Sequence, residues 1–270
     1  MSQPSSRNPA QTYEDYFVPG LFRPWTEELL ERADPQPGTR ILDLACGTGI
    51  VARTVFQRLH GRASVVGLDL SPAMITVARD ISDTEGLAID WHVGNAGALP
   101  FPGAAFDLVL IQQGLQFFPD KAAALAEVRR VLVAGGLVVV AVWTAIANNP
   151  FYEAFGEAVH RRLGTPAMHA PFSLGSRETL RALFVDAGFA KVEIEVVRRS
   201  VSFASPDRFV DLGFAAAAAA VPALQAMDEG EMAALSEAIR AEMREPVRRY
   251  TKSDALVFPM EAHVVVARTA

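Results

Sequence analysis

The stretch TRILDLACGTGIVAR, Thr39 to Arg53, constrains this chain more than any other. Ile41, Leu42 and Leu44 make a short apolar run around a single acid, Asp43, as a buried strand does. Gly47 and Gly49 follow, and Ile50, Val51 and Val55 begin a helical spacing. A strand that feeds a helix through glycines lets a ligand approach bare backbone, because no Cβ stands in the way. The same turn aims unpaired helix N–H groups at whatever sits there. Taken alone, this also describes an ordinary strand–helix turn, so the features downstream must discriminate.

Those features recur in a β–α alternation. The first strand, about residues 40 to 45, leads into a helix that ends near His60-Gly61. Ser64 to Asp69 reads as a second strand ending on an acid, and Ser71-Pro72 opens a helix to about Asp83 with an N-cap and a first-turn proline. A third strand, about Ala88 to Val93, runs into Gly94-Asn95-Ala96, and a fourth covers about Phe106 to Ile111. The helix Lys121 to Leu132 is capped by Gly135-Gly136 before a wholly apolar fifth strand, Leu137 to Trp143. Such alternation predicts an α/β chain with a parallel sheet, helices on both faces, and a ligand site at the carboxyl ends of the strands. The positions after Leu44 and at Asp69, Asn95 and Gln112 all fall at those ends, which points to a nucleotide-like cofactor.

On either side the chain reads as helical. Residues 12 to 34 place Tyr13, Tyr16, Phe17, Leu21, Phe22, Trp25, Leu29 and Leu30 at helical spacing, with Pro19-Gly20 expected to break them into two short helices. Most of these positions suit packing on the sheet, and Tyr16 and Phe17 are candidates to cover a cofactor. Residues 148 to 185 read as helices around a loop, and Lys191 to Phe203 as a sixth strand, bent or interrupted. Helices follow to about Arg249, and His263 to Arg268 closes the chain as a seventh strand. Ala215 to Ala220 is read as a tightly packed helix, since alanine is the strongest helix former.

Composition narrows the function classes. A net charge of −6 without a basic stripe argues against a nucleic-acid partner. The single cysteine, Cys46, forbids an intrachain disulfide and suits a reducing cytoplasm; inside the glycine turn it is expected to pack, not to act as a nucleophile. The polar, proline-containing start MSQPSSRNPAQ reads as a flexible tail with no signal-peptide core, and no apolar run is long enough for a membrane span. His60, His92, His160, His169 and His263 show no metal-ligand spacing, so no metal is expected.

Together, LDLACGTG, GLDLSPAMITVAR, GNAGALPF, FDLVLIQQGLQFFPD and EVRRVLVAGGLVVV resemble the motifs of class I S-adenosylmethionine-dependent methyltransferases of the small-molecule type, closely over about residues 35 to 143. The resemblance implies a Rossmann-like, doubly wound, seven-stranded sheet in the order 3-2-1-4-5-7-6, its last strand antiparallel. It implies a helical cap over 1–34, a cofactor-binding core over 35–147, and lid insertions plus the last two strands over 148–270. The implied cofactor is S-adenosyl-L-methionine, leaving as S-adenosyl-L-homocysteine. By the same resemblance Asp43 orients the turn or meets the cofactor's amino group, and Ala45, Gly47 and Gly49 lie against the methionine and ribose. Asp69 takes both ribose hydroxyls, Leu70 and Met74 sandwich the adenine, Asn95 and Ala96 read its edge, and the main chain near Gln112 holds the ammonium. Asn95 departs from the commoner aspartate and carries no charge.

Gln116 is the candidate positioning residue on the acceptor side, with His160 and His169 the available imidazoles should a base be needed. Segments 1 to 34, 148 to 185 and 204 to 260 are placed to roof an acceptor pocket. Their Phe151, Phe155, Phe172, Phe209, Phe214 and Phe258 suit a small apolar or aromatic acceptor. Two alternatives stand beside this reading. Gly47 to Ala52 satisfies the dinucleotide fingerprint G-x-G-x-x-A with Asp69 at a ribose-binding distance, as in an NAD(P)-dependent oxidoreductase, but that fingerprint gives no role to Gly94-Asn95-Ala96. A non-catalytic ligand-binding protein can also use this fold. The oligomeric state and the acceptor atom stay open.

Overall fold

Strand β1 (Arg40–Leu44) is flanked on both sides, by β2 (Ser64–Asp69) and β4 (Phe106–Gln112), so that Ile41 pairs with both Val65 and Leu108. The computed structural model describes residues 8–164, 168–220, 224 and 227–270, with backbone alone at 207, 215–220 and 229. Strands β3 (Asp90–Val93) and β5 (Leu132–Trp143) extend the parallel sheet, and β6 (Lys191–Phe203), β7 (Thr251–Lys252) and β8 (Ala255–Arg268) complete it. The order is β3-β2-β1-β4-β5-β8-β6, with β8 antiparallel to both neighbours and β7 paired to the start of β8. On β4, Leu108 and Leu110 enter one core and Val109 and Ile111 the other, the two-residue alternation of a sheet buried on both faces.

Seven strands stand in the order implied by the resemblance, with the closing strand antiparallel, and the sheet adds an eighth. The added strand, β7, is two residues folded back on Ala255 and Leu256. The closing strand is also longer than expected, because its pairing with β6 continues from Arg198–Glu261 to Phe203–Leu256 beyond the point where β5 ends at Trp143–Ala262. Pro259 lies in this projecting half, between the end of the β5 pairing and the start of the β7 pairing, where only β6 stands beside it, a setting that tolerates a residue without an N–H. β6 itself keeps one unbroken register over its whole length.

Helices α3 (Ile50–Arg58), α4 (Pro72–Glu85) and α5 (Lys121–Val131) make the crossovers. Ser71 caps α4 by accepting from the Met74 N–H at 3.4 Å. Further helices, α6 (Pro150–Leu163), α7 (Arg177–Asp186), α8 (Pro206–Ala220) and α9 (Glu229–Tyr250), belong to the second half of the chain. Backbone helix does run through Ala215–Ala220, but the tight packing expected of those alanines lies outside the described side chains, as most of the N-terminal tail lies outside the described residues. Among the described residues no helix is long and apolar enough to cross a membrane.

The N-terminal segment departs most from expectation. It is helical without a break from α1 (Pro9–Thr12) through a π-helical stretch, Tyr13–Phe22, into α2 (Arg23–Ala33). Pro19 sits inside the wide winding, where Arg23 N–H reaches back five residues to the Val18 carbonyl. Gly20 serves a close approach and not a break: a Cβ there would lie 2.7 Å from the Phe203 ring and 2.8 Å from the Ser202 carbonyl.

Candidate active site

After Leu44 the backbone turns left-handed at Ala45 (φ 58°), Gly47 (φ 56°) and Gly49 (φ 87°). The turn is held from beneath and from the side. Cys46 N–H donates to the Leu68 carbonyl at 3.1 Å, Gly47 N–H to Asp69 Oδ2 at 2.8 Å, and Ala52 N–H to Asp43 Oδ2 at 2.9 Å. A side chain on Gly49 would strike the Trp91 ring at 2.2 Å, so this glycine lets Trp91 pack under the turn. Ala45 pays a left-handed penalty of roughly 1–2 kcal/mol, and its methyl lies 2.6 Å from where a Cβ on Gly114 would stand. The second strained turn is next door. Gln113, just past β4, has φ 55°. Since β1 and β4 flank the point where the strand order reverses, the two turns open the sheet at its switch point.

A cavity of about 380 Å³ occupies that opening. It is lined by eight of the residues the sequence singled out: Ala45, Gly47, Asp69, Leu70, Met74, Asn95, Ala96 and Gln112. The other three sit elsewhere. Asp43 is buried behind the turn on Ala52 N–H, Gly49 lies over Trp91, and Gln116 points at Gln113, its Nε2 donating to Oε1 at 3.0 Å. Asp69 accepts from Gly47 N–H on one oxygen and from Ser71 N–H, at 2.9 Å, on the other. A carboxylate has about four lone-pair sites, so each oxygen keeps one for a ligand. Asn95 Oδ1 accepts from Gly97 N–H at 2.9 Å, folding its loop on itself. Leu70 and Phe117, 68 % and 53 % exposed, hold apolar faces open at the mouth.

The cap contributes residues that sequence reasoning missed. Tyr13 and Phe22, rings 5.1 Å apart, line the cavity, whereas Tyr16 and Phe17 pack on Phe203 and Tyr16 donates to the Ser205 carbonyl. Burial first, and then the negative charge of Asp69, Glu14 and Asp43, hold the Tyr13 phenol well above the usual tyrosine range. It is therefore a hydrogen-bond donor and not a base at neutral pH. The cap is tied down by an ion pair between Glu14 and Arg53 of α3 at 2.7 Å, and by Gln112 Nε2 donating to the Phe22 carbonyl at 3.1 Å.

The lid phenylalanines do not reach the cavity. Phe151, Phe155, Phe172, Phe209, Phe214 and Phe258 are buried in the core, with Phe151 stacked on Phe258 at 4.2 Å. His160 and His169 are exposed and line no part of the cavity. Cys46 is buried against Gly67, and burial raises its thiol well above the usual cysteine range. A thiol reagent should leave the native protein unmodified and react fully after denaturation; fast native labelling would contradict this placement.

Residues 41–136 match a family model described as a methyltransferase domain. The ubiquinone/menaquinone biosynthesis C-methyltransferase UbiE of Xanthomonas axonopodis pv. citri is 33 % identical over 197 residues, covering 66 % of this chain and 76 % of that protein. The YcgJ protein of Bacillus subtilis has a similar structure, with a TM-score of 0.62, 18 % identity, and coverage of 92 % of this chain and 98 % of that one. Phosphoethanolamine N-methyltransferase 2 of Haemonchus contortus, in complex with S-adenosyl-L-methionine, gives a TM-score of 0.61 at 19 % identity, covering 96 % of this chain and 56 % of that one. At such identities these structures speak to the fold alone. The relatives favour neither of the two alternatives raised by the sequence.

Proposed function

Because the chain belongs to the class I S-adenosylmethionine-dependent methyltransferases, we propose that the cavity at the β1–β4 switch point holds S-adenosylmethionine and methylates a small aromatic acceptor of the hydroxylated or quinone-ring kind. The observation that carries the cofactor's placement is Asp69. Its two oxygens are fixed by Gly47 and Ser71, and each keeps a free acceptor site, which suits a pair of vicinal hydroxyls. Gln112 Oε1 is buried without a partner among the described residues and is fitted to accept from an ammonium. Leu70 and Met74 offer apolar faces to a base. Asn95, its oxygen already engaged by Gly97, presents its amide N–H groups to the adenine edge. Asp43 and Gly49 then act behind the site, on the shape of the turn.

When bound, the cofactor supplies a methyl group on a sulfonium sulfur; the C–S bond breaks, the new bond forms to the acceptor, and the acceptor gives up a proton. The chain's part is to align the acceptor and exclude water. Phe22, Phe117 and Phe118 make an aromatic wall, and the polar groups at the β4 end of the cavity are the neutral amides of Gln112 and Gln113. The ring reading draws on this wall and on the quinone chemistry in the relatives' names. In this reading residues 1–34 form the cap, 35–147 the cofactor-binding core and 148–270 the lid with the last strands, and the enzyme works in the cytoplasm.

The test is a panel of phenols, hydroquinones, amines and carboxylates, read by S-adenosylhomocysteine release. Turnover of phenols or hydroquinones is expected; release with amines alone would overturn the ring assignment.

A further inference from the structure

We propose that Gln113 determines acceptor specificity, its Nε2 donating a hydrogen bond to a carbonyl or hydroxyl oxygen on the ring. This rests on the reading of the cavity as a methyl-transfer site. Gln113 leaves β4 with its N–H still bonded to the Ala141 carbonyl at 2.8 Å, and then turns left-handed. That turn buries the side chain, 7 % exposed, in the wall of the cavity. Its Oε1 accepts from Trp143 N–H at 3.1 Å and from Gln116 Nε2 at 3.0 Å.

These bonds settle which way each amide points. A backbone N–H only donates, so the atom facing Trp143 must be the oxygen of Gln113, and the atom facing that oxygen must be the nitrogen of Gln116. Gln113 Nε2 is thereby left as a donor with no partner among the described residues, and Gln116 Oε1 as an acceptor with none. Gln116, which does not line the cavity, acts as a positioning residue by holding the amide oxygen of Gln113, which does.

A fixed, buried, neutral donor selects by chemistry. It complements an oxygen lone pair, and it repels an ammonium, whose hydrogens would meet its own. It neither takes nor gives a proton near pH 7, so it orients and does not ionise the acceptor. A ring lacking the oxygen leaves the donor unpaired in the complex, and sites built this way discriminate strongly against the stripped analogue.

The experiment reads binding, not turnover. Full-length protein saturated with S-adenosylhomocysteine is titrated with 1-naphthol and with naphthalene, following tryptophan fluorescence. The wild type should prefer 1-naphthol by about tenfold or more. In Gln113→Leu and Gln113→Asn that ratio should fall to within about threefold of one, with S-adenosylhomocysteine affinity held within a similar margin. Gln113→Asn guards against misfolding, because asparagine adopts the left-handed backbone readily while its amide is too short to bridge Trp143 and the ligand. A preference that survives both substitutions, or is missing from the wild type, would overturn the assignment. So would loss of S-adenosylhomocysteine affinity in the variants with the preference intact, since Gln113 would then serve the cofactor. Failure of the wild type to bind S-adenosylhomocysteine at all would overturn the reading of the cavity together with this one.

Discussion

Asp69→Ala is expected to weaken S-adenosylmethionine binding by a factor of roughly 30 to 1000, corresponding to a loss of about 2–4 kcal/mol. Two effects add. The variant loses both acceptors for the ribose hydroxyls, and it frees Gly47 N–H and Ser71 N–H, which the carboxylate now holds at 2.8 and 2.9 Å. The second effect matters because Gly47 is part of the turn that must lie against the ligand. Asp69→Asn separates the two. An asparagine keeps one oxygen, so it can hold one of the two backbone donors but must turn its own NH₂ toward the other. It should therefore fall between wild type and alanine. Calorimetry on the three proteins checks the order, with thermal unfolding as a control for the fold. An Asp69→Ala affinity equal to the wild type would remove Asp69 from the cofactor site.

The parts of this fold that were legible in the sequence are those built from local patterns. Strands β1 to β4, the glycine turn and the cap of α4 depend on neighbours a few residues away, and they stand close to where the sequence places them. β5 departs from expectation: α5 ends at Val131 and the strand starts at Leu132, so Gly135-Gly136 lie inside β5, at a shift in its register with β4, and do not cap the helix. The first half of β8 was illegible because Pro259 and Glu261 look unlike a strand. The structure accommodates both: Pro259 has a partner strand on one side only, and buried Glu261 is paired with Arg198 at 2.5 Å and bonded to Thr144 Oγ1 at 3.1 Å.

The cap shows how a helical period can mislead. With 3.6 residues per turn, Tyr13, Tyr16 and Phe17 share one face, and any of them could cover a ligand. The π winding spreads them, sending Tyr13 toward Gly47 and the other two onto Phe203. No local pattern announces that winding, since Pro19-Gly20 reads as a break. Gln113 was missed for a similar reason. Its role depends on a left-handed backbone at a residue other than glycine and on a bond to Trp143, thirty positions away. The lid phenylalanines are core residues: all six are buried, Phe151, Phe155 and Phe258 pack on Phe209, and none lines the cavity, so their aromaticity carries no information about its ligand.

Asp43 provides the other large effect, through pH. It lies in the interior strand of the sheet, 1 % exposed, and burial pushes its carboxyl up to about 7, with the Ala52 N–H pulling the other way. In an unfolded chain an aspartate titrates near 3.9. The fold thus holds this proton more tightly than the unfolded chain does. The contribution to stability is fully present below about pH 4, declines as the pH rises, and is gone once the pH has passed through about 7. Three pH units correspond to a change on the order of 4 kcal/mol. Asp43→Asn isolates it, because an amide oxygen still accepts from Ala52 N–H while the group cannot ionise. Urea unfolding of both proteins at pH 5 and pH 8 gives the comparison. The variant's stability relative to wild type should rise by about 2–3 kcal/mol between those two values, the part of the whole change that falls between pH 5 and the end of the titration near 7, the wild type alone carrying the cost of a buried carboxylate at the higher pH. A difference that stays flat with pH would mean that Asp43 remains charged throughout, and that the N–H groups at the head of α3, together with Arg53, stabilise the anion more than burial destabilises it.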